Sequence, residues 1–353
     1  MTPIRVLVVD DDPFTRDFIT SILASDGGIE VVGQAGDGES AVRQVAALKP
    51  DLVTMDINMP GMNGVEAIRR IMAAHAVPIL VVTSQDDANT AYAAISGGAL
   101  EVMPKPDPDR SRIFINKIKL LAKVRVIPHI RGEGHHRRSG AGAQAAMPSD
   151  IPSVTEMIVA VASSTGGPRA LATLLSALPA AFPAPIVIAQ HITDNFAAGM
   201  ADWLNGLTPL TVKTGDAGER PAAGTVYLAP SGVHIDINRW RRIRLGARSP
   251  GDIYYPSGNR LLTSAAEVYG DSAIGVVLTG MGDDGTAGIR RIKAAGGATI
   301  AQDEATSVIF GMPRMAIQSG CVDHVLPISE IPARLIRLIG KRGRRRPDNL
   351  GDG

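Results

Sequence analysis

Residues 158–171 read IVAVASSTGGPRAL, an apolar run followed by a glycine turn and then by a helical pattern. This order predicts a buried strand, a tight turn and a helix, which is the repeating unit of parallel α/β sheets. The turn carries Ser164. A hydroxyl exposed on a strand-to-helix turn is well placed to act as a nucleophile.

Two later apolar runs end in polar residues of complementary chemistry. The run 185–189 is followed closely by His191, and the run 273–278 by TGMGDDG, which contains Asp284. Because ligands of open α/β sheets bind outside the carboxyl ends of the strands, we expect Ser164, His191 and Asp284 to meet there. The trio suggests a hydrolase in which the serine attacks, the histidine takes its proton and the acid orients the imidazole.

Each member of this trio has a competitor in the sequence, namely Ser163, His234, Asp283 and Asp303. We interpret Ser163 as the last residue of the strand, packed in the core. His234 lies within a β-like run and is interpreted as structural, whereas His191 stands at a strand end. The glycine turn also fits a phosphate grip at a helix N-terminus, but it lacks the lysine and third glycine of the known nucleotide motifs.

Apolar runs alternate with helical patterns in the first 123 residues, which predicts a parallel sheet covered by helices on both faces. The predicted strands are 4–9, 30–32, 52–55, 79–82 and 101–103, and the predicted helices are 14–23, 40–48, 65–74, 90–95 and 112–123. In the second half, residues 225–229, 233–237 and 243–245 are interpreted as short strands of a hairpin or of the edge of a mixed sheet.

Polar residues follow four of the N-terminal runs: Asp10, Asp11, Asp56, Thr83, Ser84 and Lys105. Three carboxylates crowded at one edge of a sheet repel each other, so a counter-ion is expected, and hard oxygen ligands select Mg²⁺. A carboxylate beside Mg²⁺, a lysine and a hydroxyl is equipped to accept a phosphoryl group, because the cations neutralise charge on its oxygens.

Composition excludes several classes of protein. The 353 residues carry a net charge of +1, with 45% hydrophobic and 20% charged residues, so no global field gathers nucleic acid or anionic membrane. No apolar run approaches the ~20 residues of a membrane span, and no signal peptide precedes the first acids. A single cysteine fits a reducing compartment. These features predict a cytoplasmic protein without nucleic-acid binding or membrane insertion.

The organisation along the chain follows from where periodicity stops. We predict a first domain at 1–123, a flexible linker rich in Gly, Ala, Ser and basic residues at 124–153, a second domain at 154–340, and a basic, disordered tail at 341–353.

Three segments of the first domain resemble the response-regulator receiver family: VDDD at 9–12, MDINMPGMNG at 55–64 and MPKP at 103–106. The resemblance implies a flavodoxin-like parallel sheet of five strands in the order 2-1-3-4-5. It also implies that Asp56 is the phospho-acceptor and that Thr83 and Lys105 read the phosphate. The implied Mg²⁺ ligands are Asp10, Asp11, Asp56 and the carbonyl of Asn58.

The second domain resembles the catalytic domain of the chemotaxis protein-glutamate methylesterases. The matching segments include STGG at 164–167, QH at 190–191, TGMGDDG at 279–285, AQDE at 301–304 and FGMP at 310–313. The resemblance implies a doubly wound, mainly parallel α/β domain with a β-hairpin excursion. It implies the triad Ser164, His191 and Asp284, an oxyanion site at the backbone N–H groups of Thr165 and Met281, and no cofactor for ester hydrolysis.

One segment departs from that family. Residues 255–262 keep the Pro-Ser pair, but Asn259 stands where an acid is usual. Because this loop is expected to frame the substrate cleft, the change bears on the choice of receptor more than on the chemistry.

The implied function is a phosphorylation-activated esterase that removes γ-methyl esters from chemoreceptor glutamates, releasing methanol, and that deamidates receptor glutamines. The implied partners are methyl-accepting chemoreceptors and a chemotaxis histidine kinase that donates the phosphate. The alternative is a non-catalytic regulator that binds a partner through both domains. A DNA-binding regulator would need a basic recognition helix, and only residues 341–346 form a basic run.

Overall fold

The computed structural model describes residues 2–84, 88–126 and 157–343. These residues fall into two compact units, divided between residues 138 and 139. The predicted linker from residue 127 onward and the tail beyond residue 343 lie outside the described residues, and the predicted domain bounds stay predictions. In the part of the chain that the structure describes, no helix is both long and apolar enough to cross a membrane.

The N-terminal unit is a parallel sheet in the strand order β2-β1-β3-β4-β5, which confirms the predicted order. Helix boundaries follow local chemistry. The Asp12 carboxylate accepts the backbone N–H of Thr15 at 3.0 Å, which caps the first helix. The strands are β1 Ile4–Val9, β2 Ile29–Ala35, β3 Leu52–Met55, β4 Ile79–Thr83 and β5 Glu101–Pro104, and the helices are α1 Pro13–Ala24, α2 Gly38–Leu48, α3 Gly64–Ala74, α4 Ala88–Gly97 and α5 Ser111–Leu121.

The C-terminal unit is built on a second, larger sheet with a separate hairpin. Its strands are β6 Ile158–Ser163, β7 Ile186–Gln190, β8 Thr211–Thr214, β9 Thr225–Leu228, β10 Val233–Ile237, β11 Ile243–Ala247, β12 Ala273–Val277, β13 Ala298–Gln302 and β14 His324–Leu326. Its helices are α6 Gly167–Ser176, α7 Ala197–Leu207, α8 Gly258–Tyr269, α9 Thr286–Ala294, α10 Met312–Gln318 and α11 Ile331–Gly343.

The larger sheet has seven strands in the order β14-β13-β12-β6-β7-β9-β8, and every neighbouring pair is parallel. All six residues of β6 are buried, as expected for a parallel sheet covered on both faces. After β6 the chain adds β7, β8 and β9 on one side of β6, and it later adds β12, β13 and β14 on the other side. The direction in which strands are added therefore reverses at β6, and such a switch point opens a crevice at the carboxyl ends of the strands.

The hairpin differs in part from the prediction. β10 and β11 pair antiparallel as a two-stranded hairpin, as expected. Of the two alternatives for residues 225–229, a place in the hairpin was wrong, because β9 lies in the large sheet between β7 and the edge strand β8. Burial does not separate the two strands, since residues 234–237 of β10 are buried as well as β9. The difference is backbone pairing: β9 forms parallel ladders on both of its sides and has no antiparallel partner in the hairpin.

Candidate active site

Ser164 stands just beyond the end of β6, at the switch point of the seven-stranded sheet. Its backbone N–H donates to the carbonyl of Thr279 at 3.0 Å, and its carbonyl accepts the N–H of Gly167 at 2.7 Å. Gly166 between them has a φ of +77°, a conformation that glycine adopts without strain. The turn therefore delivers the serine at the start of α6.

Ser163, the competing serine, is fully buried. Its hydroxyl donates to Gln190 Oε1 at 2.7 Å, and Gln190 Nε2 donates to the carbonyls of Ser164 at 2.9 Å and of His191 at 2.8 Å. Gln190 thus ties the end of β6 to the end of β7. The sequence analysis named this glutamine in the QH motif at 190–191 but gave it no role.

His191 and Asp284 form a direct pair, with 2.7 Å between Nε2 of the histidine and Oδ2 of the acid. The imidazole therefore presents its other nitrogen, Nδ1, away from the acid. No hydrogen bond joins Ser164 Oγ to His191 among the described residues. Catalytic hydrogen bonds are commonly long without substrate and shorten when it binds. The pair has the chemistry of a general base held by a carboxylate.

Asp284 is completely buried, yet its charge is well compensated. Backbone N–H groups of Gly258 and Asn259 donate to its two oxygens at 2.6 and 2.8 Å, and the Ser257 hydroxyl donates at 3.2 Å. These donors begin α8, and a helix N-terminus favours negative charge. Burial on its own raises the pKa of Asp284, but the hydrogen bonds from His191 and from these N–H groups outweigh it and hold the pKa below its ordinary value.

Asn259, the departure from the methylesterase pattern, supports the acid. Its Oδ1 accepts the backbone N–H groups of Gly285 and Gly288, both at 3.0 Å. Its own N–H is one of the Asp284 donors. The altered position therefore joins the start of α8 to the loop after Asp284, instead of only framing the cleft as the sequence suggested.

Tyr254 lies against the histidine, and sequence reasoning did not single it out. Its ring stacks on His191 with 5.2 Å between ring centroids and 9° between planes. Its hydroxyl donates to Asp283 Oδ1 at 3.0 Å. A tyrosine in a loop carries no periodic signal, so only the folded structure reveals this contact.

Two further competitors, His234 and Asp303, are hydrogen-bonded to residues other than His191. His234 is buried, with Nε2 at 2.8 Å from Asp252 and Nδ1 accepting the N–H of Ser257 at 3.0 Å. Asp303 accepts the hydroxyl of Thr306 at 2.6 Å. Among the described residues neither side chain is hydrogen-bonded to His191, and His234 reaches Asp284 only through Ser257.

The segments that carry the predicted oxyanion donors, Thr165 and Met281, pass close to Ser164. A Cβ added to Gly280 would lie 2.6 Å from Ser164 Cβ, so the segment that carries Met281 runs directly past the serine. Thr165 follows the serine in the turn and is 2% exposed, and its carbonyl accepts the Thr279 hydroxyl at 2.9 Å. Backbone N–H groups on both sides of a nucleophile are the usual means of stabilising developing negative charge.

The N-terminal unit gathers a second set of charged side chains at the switch between β1 and β3. Asp10, Asp11 and Asp56 each offer a carboxylate oxygen within 4.8 Å of the others. Lys105 Nζ bridges two of them, at 2.7 Å from Asp10 and 2.9 Å from Asp56. Hard oxygen donors in this arrangement fit Mg²⁺, which binds through one or two carboxylates and retains several waters.

Charge crowding perturbs this cluster. Burial, and then the nearby Asp56 carboxylate, raise the pKa of Asp10 against the opposing hydrogen bond from Lys105. Burial lowers the pKa of Lys105, but its hydrogen bonds to both acids outweigh burial and raise this pKa.

Thr83 Oγ1 is buried and has no hydrogen-bond partner among the described residues. Asn58 lies two residues beyond Asp56 and is exposed.

Comparison with known proteins identifies both units. Residues 6–115 match the response regulator receiver domain, and residues 159–335 match the CheB methylesterase family. The fold and the two sites thus define a response regulator whose receiver is joined to a hydrolase unit. The chain belongs to the CheB methylesterase family.

Relatives of nearly the same length share this organisation. The chain is 45% identical over 350 residues to protein-glutamate methylesterase/protein-glutamine glutaminase 3 of Paramagnetospirillum magneticum, covering 96% of each chain. It is 45% identical over 341 residues to a protein of the same description, numbered 2, from Anaeromyxobacter dehalogenans, covering 95% and 97%. The CheB methylesterase catalytic domain of Thermotoga maritima is 41% identical with a TM-score of 0.51, covering 52% of this chain and 100% of that one.

Proposed function

We propose that this chain hydrolyses the γ-methyl esters of glutamate side chains on chemoreceptors and deamidates glutamine side chains there, under control of its receiver. The observation that carries the proposal is the His191–Asp284 pair, whose histidine donates its backbone N–H to the carbonyl of Ser163, the residue before Ser164. The full-length relatives of the chain bear both activities in their names. Its place of action is the cytoplasm, where receptor signalling segments and a histidine kinase are accessible.

The proposed reaction has two steps. Ser164 Oγ attacks the ester carbonyl while its proton passes to Nδ1 of His191, and the backbone N–H groups of Thr165 and Met281 stabilise the oxyanion. The histidine returns the proton to the leaving oxygen, so methanol departs and a glutamyl-serine ester remains. Water, deprotonated by His191, then attacks the carbonyl carbon of this ester, and the histidine gives the proton to Ser164 Oγ as the bond breaks and the glutamate carboxylate leaves. With a glutamine substrate, ammonia leaves in the first step.

Asp284 has a positional role in this scheme. Its carboxylate keeps the proton of neutral His191 on Nε2, so Nδ1 is free to accept the serine proton. Its low pKa keeps it ionised throughout the neutral range. The proposed steps use side chains and backbone groups of this chain alone, and hydrolysis without a cofactor stays a prediction.

A methanol-release assay on membranes that carry methylated receptors tests the activity. We expect the wild-type chain to release methanol at a rate proportional to its concentration and Ser164→Ala to release none. Binding to the membranes without methanol release would contradict an esterase and would favour the non-catalytic regulator.

In the receiver, the proposed roles are those of a phosphoryl acceptor site. Asp56 accepts the phosphoryl group, and Asp10, Asp11, Asp56 and the Asn58 carbonyl hold Mg²⁺, which neutralises charge on the phosphoryl oxygens when bound. Lys105 and Thr83 contact the phosphate. The unpartnered Thr83 hydroxyl and the lysine bridging two acids support these roles.

Metal binding makes a prediction of its own. Mg²⁺ should raise the unfolding temperature of the receiver, because it relieves repulsion among Asp10, Asp11 and Asp56; a ligand at 100 times its Kd stabilises by about 2.7 kcal/mol. We expect Asp11→Asn to lose most of the shift in a thermal melt with and without Mg²⁺. Asp17→Asn removes an exposed acid on α1 outside the cluster and is the matched control. Equal shifts in both variants would contradict the site.

Control by phosphorylation is tested by comparing three proteins. We expect a small phosphodonor with Mg²⁺ to raise the methanol-release rate of the intact chain. The rate of Asp56→Asn should stay unchanged by the phosphodonor, because this variant lacks the acceptor carboxylate. If the unphosphorylated receiver inhibits, a fragment starting near Ser153 should exceed the unphosphorylated intact chain. A fragment slower than the intact chain in both states would show that the receiver activates by another route.

A further inference from the structure

The imidazole of His191 needs more than one contact to hold its orientation. Among the described residues its side chain makes one hydrogen bond, to Asp284. Rotation about the bond between Cβ and the ring is soft and nearly two-fold for histidine. A single hydrogen bond leaves the plane of the ring free to tilt about that contact, and tilting moves Nδ1 relative to Ser164.

The ring of Tyr254 supplies a second constraint. The two rings are nearly parallel, 9° apart, with 5.2 Å between centroids. Offset stacking of this kind is favourable beyond the area that it buries. A flat face against the imidazole resists the tilting motion that the hydrogen bond to Asp284 leaves open.

The tyrosine is itself anchored to the segment that carries the acid. Its hydroxyl donates to Asp283 Oδ1 at 3.0 Å, and Asp283 directly precedes Asp284. A Cβ on Gly282 would lie 2.4 Å from the Tyr254 hydroxyl oxygen, so the glycine leaves room for this bond. One loop therefore fixes His191 both at its Nε2 edge and, through Tyr254, at its face.

We propose that Tyr254 and Asp283 are positioning residues, which lock the plane of His191 so that Nε2 stays on Asp284 while Nδ1 faces Ser164. Neither residue belongs to the triad. The inference rests on the proposed function in one respect, namely that His191 is the base for Ser164. A shift of about 1 Å in a reacting group can cost about 100-fold in rate, so loss of the constraint should appear in kcat.

The test is a double-mutant cycle across the Tyr254–Asp283 hydrogen bond. We expect Tyr254→Phe and Asp283→Ala each to lower kcat of methanol release several-fold with KM changed less than about twofold, and the double variant to be no slower than the slower single one, since all three lack the same bond. Tyr254→Ala also removes the stacked ring, so its kcat should fall further, by about ten- to 100-fold.

The matched control is Tyr269→Phe, which loses a hydroxyl at the far end of α8. The Tyr269 ring lies under the Arg241 guanidinium, with 4.9 Å between Arg241 Cζ and the ring centroid, and does not stack on His191. We expect its kcat to equal that of the wild type. Thermal melts of every variant separate loss of positioning from loss of folding. Tyr254→Phe keeps the size of the side chain, so it remains informative even if Tyr254→Ala unfolds.

A second readout separates this inference from the proposed substrate. A fluorophosphonate probe reports the reactivity of Ser164 toward an electrophile whatever the natural ester is, with labelling measured by mass spectrometry. We expect the same order of labelling rates: wild type, then Tyr254→Phe, then Tyr254→Ala. Labelling without methanol release would refute the proposed substrate and leave the inference in place. Wild-type kcat and labelling in Tyr254→Ala, or additive losses in the cycle, would overturn it.

Discussion

Replacement of Ser164 by alanine is expected to abolish methanol release while the chain stays folded. The change removes one hydroxyl on a turn and almost no core volume, so the unfolding temperature should stay close to that of the wild type. Loss of the nucleophile of a studied serine hydrolase lowers kcat by a factor on the order of 10⁶, and we expect a loss of similar size here. The measurement is methanol release, with a thermal melt of the same sample.

Ser163→Ala is the matched control for the nucleophile. It removes a neighbouring hydroxyl that is fully buried and donates to Gln190 Oε1. We expect most of the activity to remain and the unfolding free energy to fall by about 1 to 3 kcal/mol, the cost of leaving a buried acceptor unpaired. An inactive Ser163 variant beside an active Ser164 variant would show that the nucleophile is assigned to the wrong serine.

Asp284→Asn is expected to have the second largest effect on turnover. Both oxygens of Asp284 accept: Oδ2 from His191 and Gly258, and Oδ1 from Asn259. An asparagine side chain must turn its NH₂ group toward one of these sets of donors. If it faces His191, the histidine proton moves to Nδ1, the atom that must accept the serine proton. The corresponding change in a studied triad lowers kcat by about 10⁴-fold.

Stability is also expected to fall in this variant, because either amide orientation sets an NH₂ group against buried N–H donors. Activity is therefore compared only at temperatures where a melt shows the variant folded. Asp303→Asn is the control acid, since Asp303 bonds Thr306 in a separate loop. We expect near-normal rates from the control. Near-normal rates in Asp284→Asn together with a loss in Asp303→Asn would move the catalytic acid to Asp303.

Much of the fold was predictable because local periodicity encodes it. Strands β1 and β3 begin and end at the residues predicted from their apolar runs, and the five-stranded order follows from the receiver resemblance. Strand β8 was missed, and one of the two alternatives for β9 was wrong. A four-residue strand is too short to show a clear period, and its apolar pattern does not tell which strands it pairs with. That pairing is decided in the folded sheet, where β9 lies between β7 and β8.

The sequence by itself determined which residues are the candidates for the chemistry and where along the chain they stand. An apolar run followed by serine, histidine or aspartate is a local property, so Ser164, His191 and Asp284 could be proposed from the order of residues alone. Parallel pairing then requires their strand ends to share one edge, and the His191–Asp284 pair forms at that edge.

Only the tertiary structure decided how these residues are held. It set which imidazole nitrogen faces Asp284, brought the start of α8 to the buried carboxylate, turned Asn259 into a support for that acid and laid Tyr254 against His191. The hydrogen bonds among these contacts join residues that are 26 to 93 positions apart in the sequence. The relative orientation of two stacked rings is not encoded in a sequence pattern. They arise from packing and hydrogen-bond satisfaction within the folded core, where a side chain's partners depend on every element around it and not on its neighbours in the chain.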